Sequence, residues 1–369
     1  MPGYRIAVIG TRGYPYVYSG YESFVRELAE GLVRKGYRIT VYNHRNLFAR
    51  RPREVNGIRL VYVPTVERKT LSQFIHSLQA MVHAGLGPYD LLFVLNSANG
   101  PLGLIPRMLG KKIAINVDGL EWKRPKWKGL GSRYFYWASK AATKLYHAVV
   151  TDSEAMRQIY LREFRCPSAM IAYGAQIRYS RNPGLIGRMG LEAGDYYLVV
   201  GRMIPDNNID LMCAEFVRSS SSRRLVVVGD VPYADVYARK VRSLRDPRLL
   251  FTGYVRDPEV LAELYHGCFA YLHGHEFGGT NPALLTALGC GCAVFALNTA
   301  FNREVLADGR YGRFFAKTDL TRVIEEAERQ PRQLDRLRAT ARERIAERYS
   351  WEKIVDQYHE FFDHMIRGG

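Results

Sequence analysis

The 369-residue chain holds little cysteine and no long apolar run, and each scarcity narrows what it can be. Its five cysteines, Cys166, Cys213, Cys268, Cys290 and Cys292, are odd in number and form no C-x-x-C pair, which argues against a disulfide framework and against the common zinc and thioredoxin-like motifs. They read as reduced thiols of a cytosolic protein. No segment approaches the roughly 18 apolar residues of a membrane span, and the opening MPGYRIAVIGTRG enters a strand-like run without the apolar stretch of a signal peptide. Any membrane contact is expected to be peripheral. Also missing is the six-residue G-x-G-x-x-G dinucleotide fingerprint, because Gly10, Gly13 and Gly20 have the wrong spacing for it.

Carboxylates are scarce in one half only. Residues 1–173 hold 26 Lys+Arg against 11 Asp+Glu, so +15 of the net +17 lies there and the remainder of the chain is near neutral. Between Arg107 and Lys144 ten basic residues meet only Asp118 and Glu121, among Trp122, Trp127, Trp137, Tyr134, Phe135 and Tyr136. Amphipathic aromatics mixed with Lys and Arg suit the headgroup layer of an anionic membrane, the reading favoured here. Stacking on single-stranded nucleic acid, or a solvated basic face with its aromatics in the core, are the alternatives.

At this length two domains are expected, each able to bury a core. Apolar β-branched runs at Arg5–Ile9, Ile39–Tyr42, Leu60–Val63, Leu91–Leu95, Ile113–Val117, Ala148–Thr151 and Met170–Ala172 alternate with helical patterns such as Glu22–Lys35 and Ser132–Tyr146. The alternation predicts an α/β fold with parallel sheets. Periodicity lapses after Tyr173 and resumes with strands at Tyr196–Val200, Leu225–Val228, Leu249–Thr252, Phe269–Leu272 and Ala293–Ala296. The lapse marks a domain boundary, placed at 175/176. From about Asp319 the pattern is helical, and Trp351, Ile354, Val355, Tyr358, Phe361 and Phe362 form a stripe that needs a docking surface. Residues 349–369 are assigned to a terminal helix.

Four motifs carry chemistry. Gly10-Thr11-Arg12-Gly13 follows the first strand, and Tyr18-Ser19-Gly20-Tyr21-Glu22 opens a helix, where free amides attract phosphate; a tight turn is the plainer alternative. Asn116-Val117-Asp118-Gly119-Leu120-Glu121 lies past a strand's carboxyl end, where Asp118 or Glu121 would serve as a base or stabilise positive charge, or where Asp118 caps a turn and Glu121 pairs with Arg124. Gly201-Arg202-Met203-Ile204-Pro205-Asp206-Asn207-Asn208 offers an Arg fork for phosphate oxygens, or an Arg202–Asp206 ion pair. Most specific is His273-Gly274-His275-Glu276-Phe277-Gly278-Gly279-Thr280-Asn281-Pro282, a glycine loop leading into a helix N-cap and suited to a diphosphate. Its two histidines lack a third nitrogen or sulfur ligand nearby in sequence, so no metal is expected.

Together with IGTRGYP, YSGYESFVREL, NVDGLEWKRPKW, DSEAM, YGA and YSWEKIVDQY, these motifs resemble a GT-B glycosyltransferase along almost the whole chain. In detail the sequence is similar to the bacterial branch of retaining glycosyltransferase family 4 that includes rhamnosyltransferases of capsule and cell-wall polysaccharide assembly. The resemblance implies two Rossmann-like domains facing a cleft, acceptor side at 1–175, nucleotide-sugar side at 176–348, and a terminal helix crossing back to the first. It implies no cofactor and no metal, a nucleotide-sugar donor, taken as dTDP-L-rhamnose, a polyprenyl-linked glycan acceptor, and a cytoplasmic protein peripheral at the inner membrane face with no nucleic-acid partner. Asp118, Arg202 and Glu276 would be catalytic, with Arg202 on the diphosphate. Gly13, Gly20, Asn207, Tyr254, Gly278, Gly279, Thr280, Asn281 and Thr286 would hold the donor. Glu121, Trp122, Lys123, Arg124, Lys126, Trp127 and Lys128 would face acceptor and membrane. Thr286 departs from the family, which places a ribose-binding Glu there, and a catalytically degraded assembly subunit is the alternative reading.

Overall fold

The computed structural model of the chain describes residues 3–15, 20–65, 71–117, 119–124, 127, 129–231 and 235–368. It divides into two compact units: Met1–Lys123 with Trp127–Tyr173 and Trp351–Gly369, and Arg124–Lys126 with Gly174–Ser350.

The first unit is built on an eight-stranded sheet: β1 (Arg5–Ile9), β2 (Arg38–His44), β3 (Glu54–Val55), β4 (Ile58–Val63), β5 (Leu91–Leu95), β6 (Ile113–Val117), β7 (Ala148–Thr151) and β8 (Ala169–Met170). Their spatial order is β3-β4-β2-β1-β5-β6-β7-β8, parallel throughout except for the β3–β4 pair. Central strands buried on both faces must be apolar along their length, which is why β5 and β6 read so clearly as LLFVL and IAINV. The two-residue β3, paired antiparallel at the sheet edge, carries no such signal.

Its helices are α1 (Gly20–Arg34), α2 (Leu71–Leu86), α3 (Leu104–Met108), α4 (Leu130–Leu145) and α5 (Glu154–Phe164). The crossover through α1 steps one way along the sheet, whereas those through α2, α3 and α4 step the other way. Right-handed connections therefore lay α1 on one face and α2, α3 and α4 on the opposite one. Beside α1 lies the last helix of the chain, Trp351–Arg367. The two approach so closely that a Cβ on Gly31 would stand 2.5 Å from Val355, and Lys35 pairs with Asp356 at 2.5 Å. Ile354, Val355, Tyr358 and Phe362 are the buried stripe, with the Tyr358 ring 5.6 Å from that of Phe24 and the Phe362 ring 5.1 Å from that of Phe93. At about 1.5–3 kcal/mol per fully buried apolar side chain, this stripe explains why the helix docks.

The second unit is a six-stranded parallel sheet of β9 (Tyr196–Val200), β10 (Arg224–Val228), β11 (Leu249–Gly253), β12 (Ala270–His273), β13 (Val294–Leu297) and β14 (Arg313–Phe315), ordered β11-β10-β9-β12-β13-β14. Around it lie α6 (Ile209–Arg218), α7 (Val236–Arg242), α8 (Pro258–Gly267), α9 (Pro282–Cys290), α10 (Ala300–Val305), α11 (Leu320–Arg329) and α12 (Arg332–Arg344); Trp351–Arg367 is α13. The helical stretch from Asp319 is thus three helices, interrupted at Gln330–Pro331 and by a π turn at Ile345–Tyr349. Chain order reverses between β9 and β12, so the loops leaving these two strands diverge and open a crevice at the sheet's carboxyl edge. No helix among the described residues is long and apolar enough to cross a membrane.

Candidate active site

The crevice of the second unit is lined by the two loops singled out from the sequence, Gly201–Asn208 after β9 and Gly274–Asn281 after β12. Side-chain amides lock them together. Asn207 donates through Nδ2 to the Arg202 carbonyl at 2.8 Å, which leaves its Oδ1 to accept from His275 Nδ1, also 2.8 Å away. This fixes the His275 proton on Nδ1 and leaves Nε2 an acceptor. Burial first, then the charges of Arg124, His273 and Arg202, hold the ring neutral by pushing its pKa well down. Asn208, in a left-handed conformation at φ 49°, donates from Nδ2 to the Gly274 carbonyl at 2.8 Å and to Glu276 Oε2 at 3.2 Å. The Glu276 amide in turn donates to the Asp206 carbonyl at 3.0 Å.

Two cations border this network. Lys317, from the loop after β14, reaches Glu276 Oε2 at 2.7 Å. Arg124 lies 3.5 Å from Asp206 Oδ2, and both side chains are buried. The Arg202–Asp206 pair allowed by the sequence is therefore not formed. Asp206 is taken by Arg124, and the exposed Arg202 guanidinium makes no hydrogen bond or ion pair among the described residues.

Gly278 turns the second loop at φ 136°, a conformation that favours glycine. Thr280 is buried, and Asn281 caps α9 by accepting from the Ala283 amide at 2.9 Å. Thr286, one turn into α9, donates back to the Pro282 carbonyl at 2.8 Å. Its single proton is thus spent inside the helix. Tyr254 is exposed just after β11, an edge strand two places from β9 in the sheet. His273 faces the interior, its Nδ1 3.2 Å from the Tyr271 hydroxyl and its Nε2 without a partner among the described residues, and burial pushes its pKa down to about 3.

In the first unit Thr11 and Arg12, in the loop after β1, are held by one buried carboxylate: Glu22 Oε1 accepts from the Thr11 hydroxyl at 3.3 Å and the Arg12 amide at 3.1 Å. Gly13 lies against Asn43 and Phe48, where a Cβ would come within 2.8 Å of the Asn43 side chain, and Gly20 is exposed at the start of α1. The residues expected to face a membrane separate sharply. Glu121 is buried and accepts from Trp127 Nε1 at 2.8 Å; the Trp122 ring packs against Tyr136, Tyr160 and Phe164. Arg124 is buried on Asp206 and is corrected from a surface cation to an internal one; of the four cations in this run only Lys123 is described as exposed. Asp118, Lys126, Lys128, Tyr18 and Ser19 lie outside the described residues.

Sequence reasoning missed Lys317 and the Arg124–Asp206 pair. Neither has a local signal, since the partners are far apart in the chain. Asn208, whose motif gives no hint of its role, ties the two loops through its side-chain amide.

The class defined by two such parallel-sheet units is the GT-B fold. Sucrose-phosphate synthase from Thermosynechococcus elongatus superposes with a TM-score of 0.83 at 17% identity, over 99% of this chain and 100% of that one. HepE from Anabaena, in complex with UDP-glucose, gives 0.78 at 15% identity over 97% and 99%, and a glycosyltransferase from Rickettsia africae gives 0.72 at 12% identity over the whole of both chains. Within the class, residues 19–173 match the glycosyl transferase 4-like domain and residues 194–330 match glycosyl transferases group 1. These two domains take in most of the chain, which belongs with the GT-B glycosyltransferases. A curated relative, an uncharacterized 42.6 kDa protein in the cps region of Klebsiella pneumoniae, is 37% identical over 60 residues, and that match spans 16% of either chain.

Proposed function

We propose that the protein transfers a glycosyl group, L-rhamnosyl from dTDP-L-rhamnose, with retention of anomeric configuration, to a lipid-linked saccharide at the cytoplasmic membrane face during polysaccharide assembly. One observation carries the reading. At the β9/β12 switch point an exposed arginine, Arg202, without a carboxylate partner among the described residues stands in the loop that is amide-locked to a glycine-rich helix N-terminus. A nucleoside diphosphate leaving group needs such an environment, since the guanidinium fork and loop amides stabilise the charge that develops as the glycosidic bond breaks. HepE, similar in fold, is known in complex with UDP-glucose, which supports a nucleotide-sugar donor of some kind. The rhamnosyl and retaining assignments rest on the sequence motifs.

A second reading, a catalytically degraded subunit, draws on Thr286: a threonine replaces the family's ribose-binding carboxylate, and its proton is committed to Pro282. A donor screen with dTDP-L-rhamnose and UDP-glucose, with and without EDTA, decides between them. Turnover or donor hydrolysis surviving EDTA supports the transferase; no turnover and no calorimetric binding of any nucleotide supports the subunit. Turnover abolished by EDTA and restored by a divalent ion would remove the metal-independent part of the proposal.

A further inference from the structure

Three successive helices of the first unit, α2, α3 and α4, contain no aspartate or glutamate. They form one continuous layer. Gly85 of α2 is pressed on α3, where a Cβ would lie 2.7 Å from Leu109; the Arg107 guanidinium caps α4 through the Lys144 and Leu145 carbonyls at 3.3 and 2.8 Å. From this layer large apolar side chains point into solvent: Leu86 is 73% exposed, Met108 78%, Leu130 82% and Trp137 55%. Leu130, Tyr134 and Trp137 are spaced i, i+4, i+7 and so form one outward stripe on α4. Among them stand Arg107, Arg133, Lys140 and Lys144, none with a carboxylate partner among the described residues. The opposite layer of the same sheet differs: α1 and α13 carry seven carboxylates, and their large apolar residues are mostly buried against each other and the sheet.

We infer that the α2–α3–α4 layer is the surface by which the protein docks on an anionic bilayer. Exposed Leu, Met and Trp insert at the acyl boundary, Tyr and Trp sit at headgroup depth, and the lysine and arginine stems lie along the apolar surface with their charges among the lipid phosphates. Charge decides between a bilayer and a second copy of this chain. Face-to-face pairing would set Arg133 and Lys140 against their own copies with no carboxylate to compensate, whereas anionic lipid supplies the missing sign. The inference rests on the lipid-linked acceptor only for its purpose, since binding is measurable without catalysis.

Co-sedimentation of the full chain with vesicles of equal parts phosphatidylglycerol and phosphatidylcholine tests it. Binding is expected to exceed that to phosphatidylcholine alone and to weaken with salt. Replacing both Leu130 and Trp137 by Glu should lower binding at least tenfold, and Arg133→Gln or Lys140→Gln about fivefold each, while Arg336→Gln on α12 changes nothing. An unchanged calorimetric response to nucleotide shows that the variants fold. Vesicle binding indifferent to these substitutions overturns the inference, as does a dimer that the Leu130/Trp137 variant dissociates without any vesicle binding, or an oligonucleotide affinity equal to that for vesicles. Vesicle binding without donor turnover would retain this inference and remove the transferase reading; turnover without vesicle binding would do the reverse.

Discussion

Both units of this chain are parallel sheets covered by helices, yet they expose different things. Of the sixteen large hydrophobic residues exposed among the described residues, twelve lie in the first unit, which also carries +11 of the net +17 charge. The second unit exposes four, and its distinctive feature is a set of loops whose polar side chains are tied to one another. Surface chemistry and pocket chemistry have been separated into different halves of one polypeptide. A fold class describes neither, because both sheets obey the same rules of twist, burial and crossover.

The separation can be broken most decisively at Arg202. Arg202→Ala should lower donor turnover by about a thousandfold, on the scale of removing a donor to a developing anion, while vesicle binding stays at the level of the parent protein; loss of both in parallel would show that the two halves do not divide the work. Next in size is Arg124→Ala. Removing this guanidinium from the buried Asp206 carboxylate should cost the fold about 3 kcal/mol, seen as a fall in the denaturant midpoint, because breaking a buried ion pair leaves the desolvation of the carboxylate less compensated.

Acid should affect both units. Burial lowers His44 to about 4 and His76 to about 3 in the first unit, where their rings stack at 3.9 Å, and His273 to about 3 in the second. Such groups bind protons in the unfolded chain before they do so in the folded one. Their stabilising contribution is complete above pH 6.5 and is lost as pH falls from there towards 3–4, with a slope of at most about 1.4 kcal/mol per pH unit for each histidine. Denaturant titrations should show stability level from pH 8 to 7 and falling between pH 6 and 5. His76→Phe and His273→Phe should each flatten that fall; a curve unchanged in the double variant would mean other groups carry it. The smallest effect is expected from Thr286→Glu, which should tighten donor binding severalfold by returning a carboxylate to the ribose position. Weaker binding would show that α9 has been rebuilt around the threonine.

How much of this was visible in the sequence depends on the range of the forces involved. Strands β1, β5, β6, β7 and β9 were legible to the residue because doubly buried strands must be apolar along their length. The three-residue β14 and two-residue β3 were not, being too short to establish a period. Loop positions were legible for a similar reason, since they sit where strand patterns end and glycine and cap residues begin. The pairing of Arg124 with Asp206, and of Lys317 with Glu276, arises from the packing of distant loops and leaves no local trace. The basic aromatic cluster shows the same limit: its charge was correctly located, but the phase of α4 turns Trp137 to solvent, while tertiary ring packing draws Trp122 and Trp127 inward.

The position of α13 bears on how the chain is made. Tyr37 in the first unit bonds through its hydroxyl to His359, 322 residues later, and the aromatic cluster around Phe24 and Phe93 is completed only by Tyr358 and Phe362. On the ribosome the first unit is therefore translated early and closed late, after nearly the whole second unit has emerged. Until then the α1 face of its sheet lacks the cover that α13 supplies, and contacts of such long range are slow to form. A nascent chain stalled before Trp351 would present that aromatic surface to chaperones, so biogenesis is expected to be more sensitive to changes in α13 than to changes in the loops after β9 and β12.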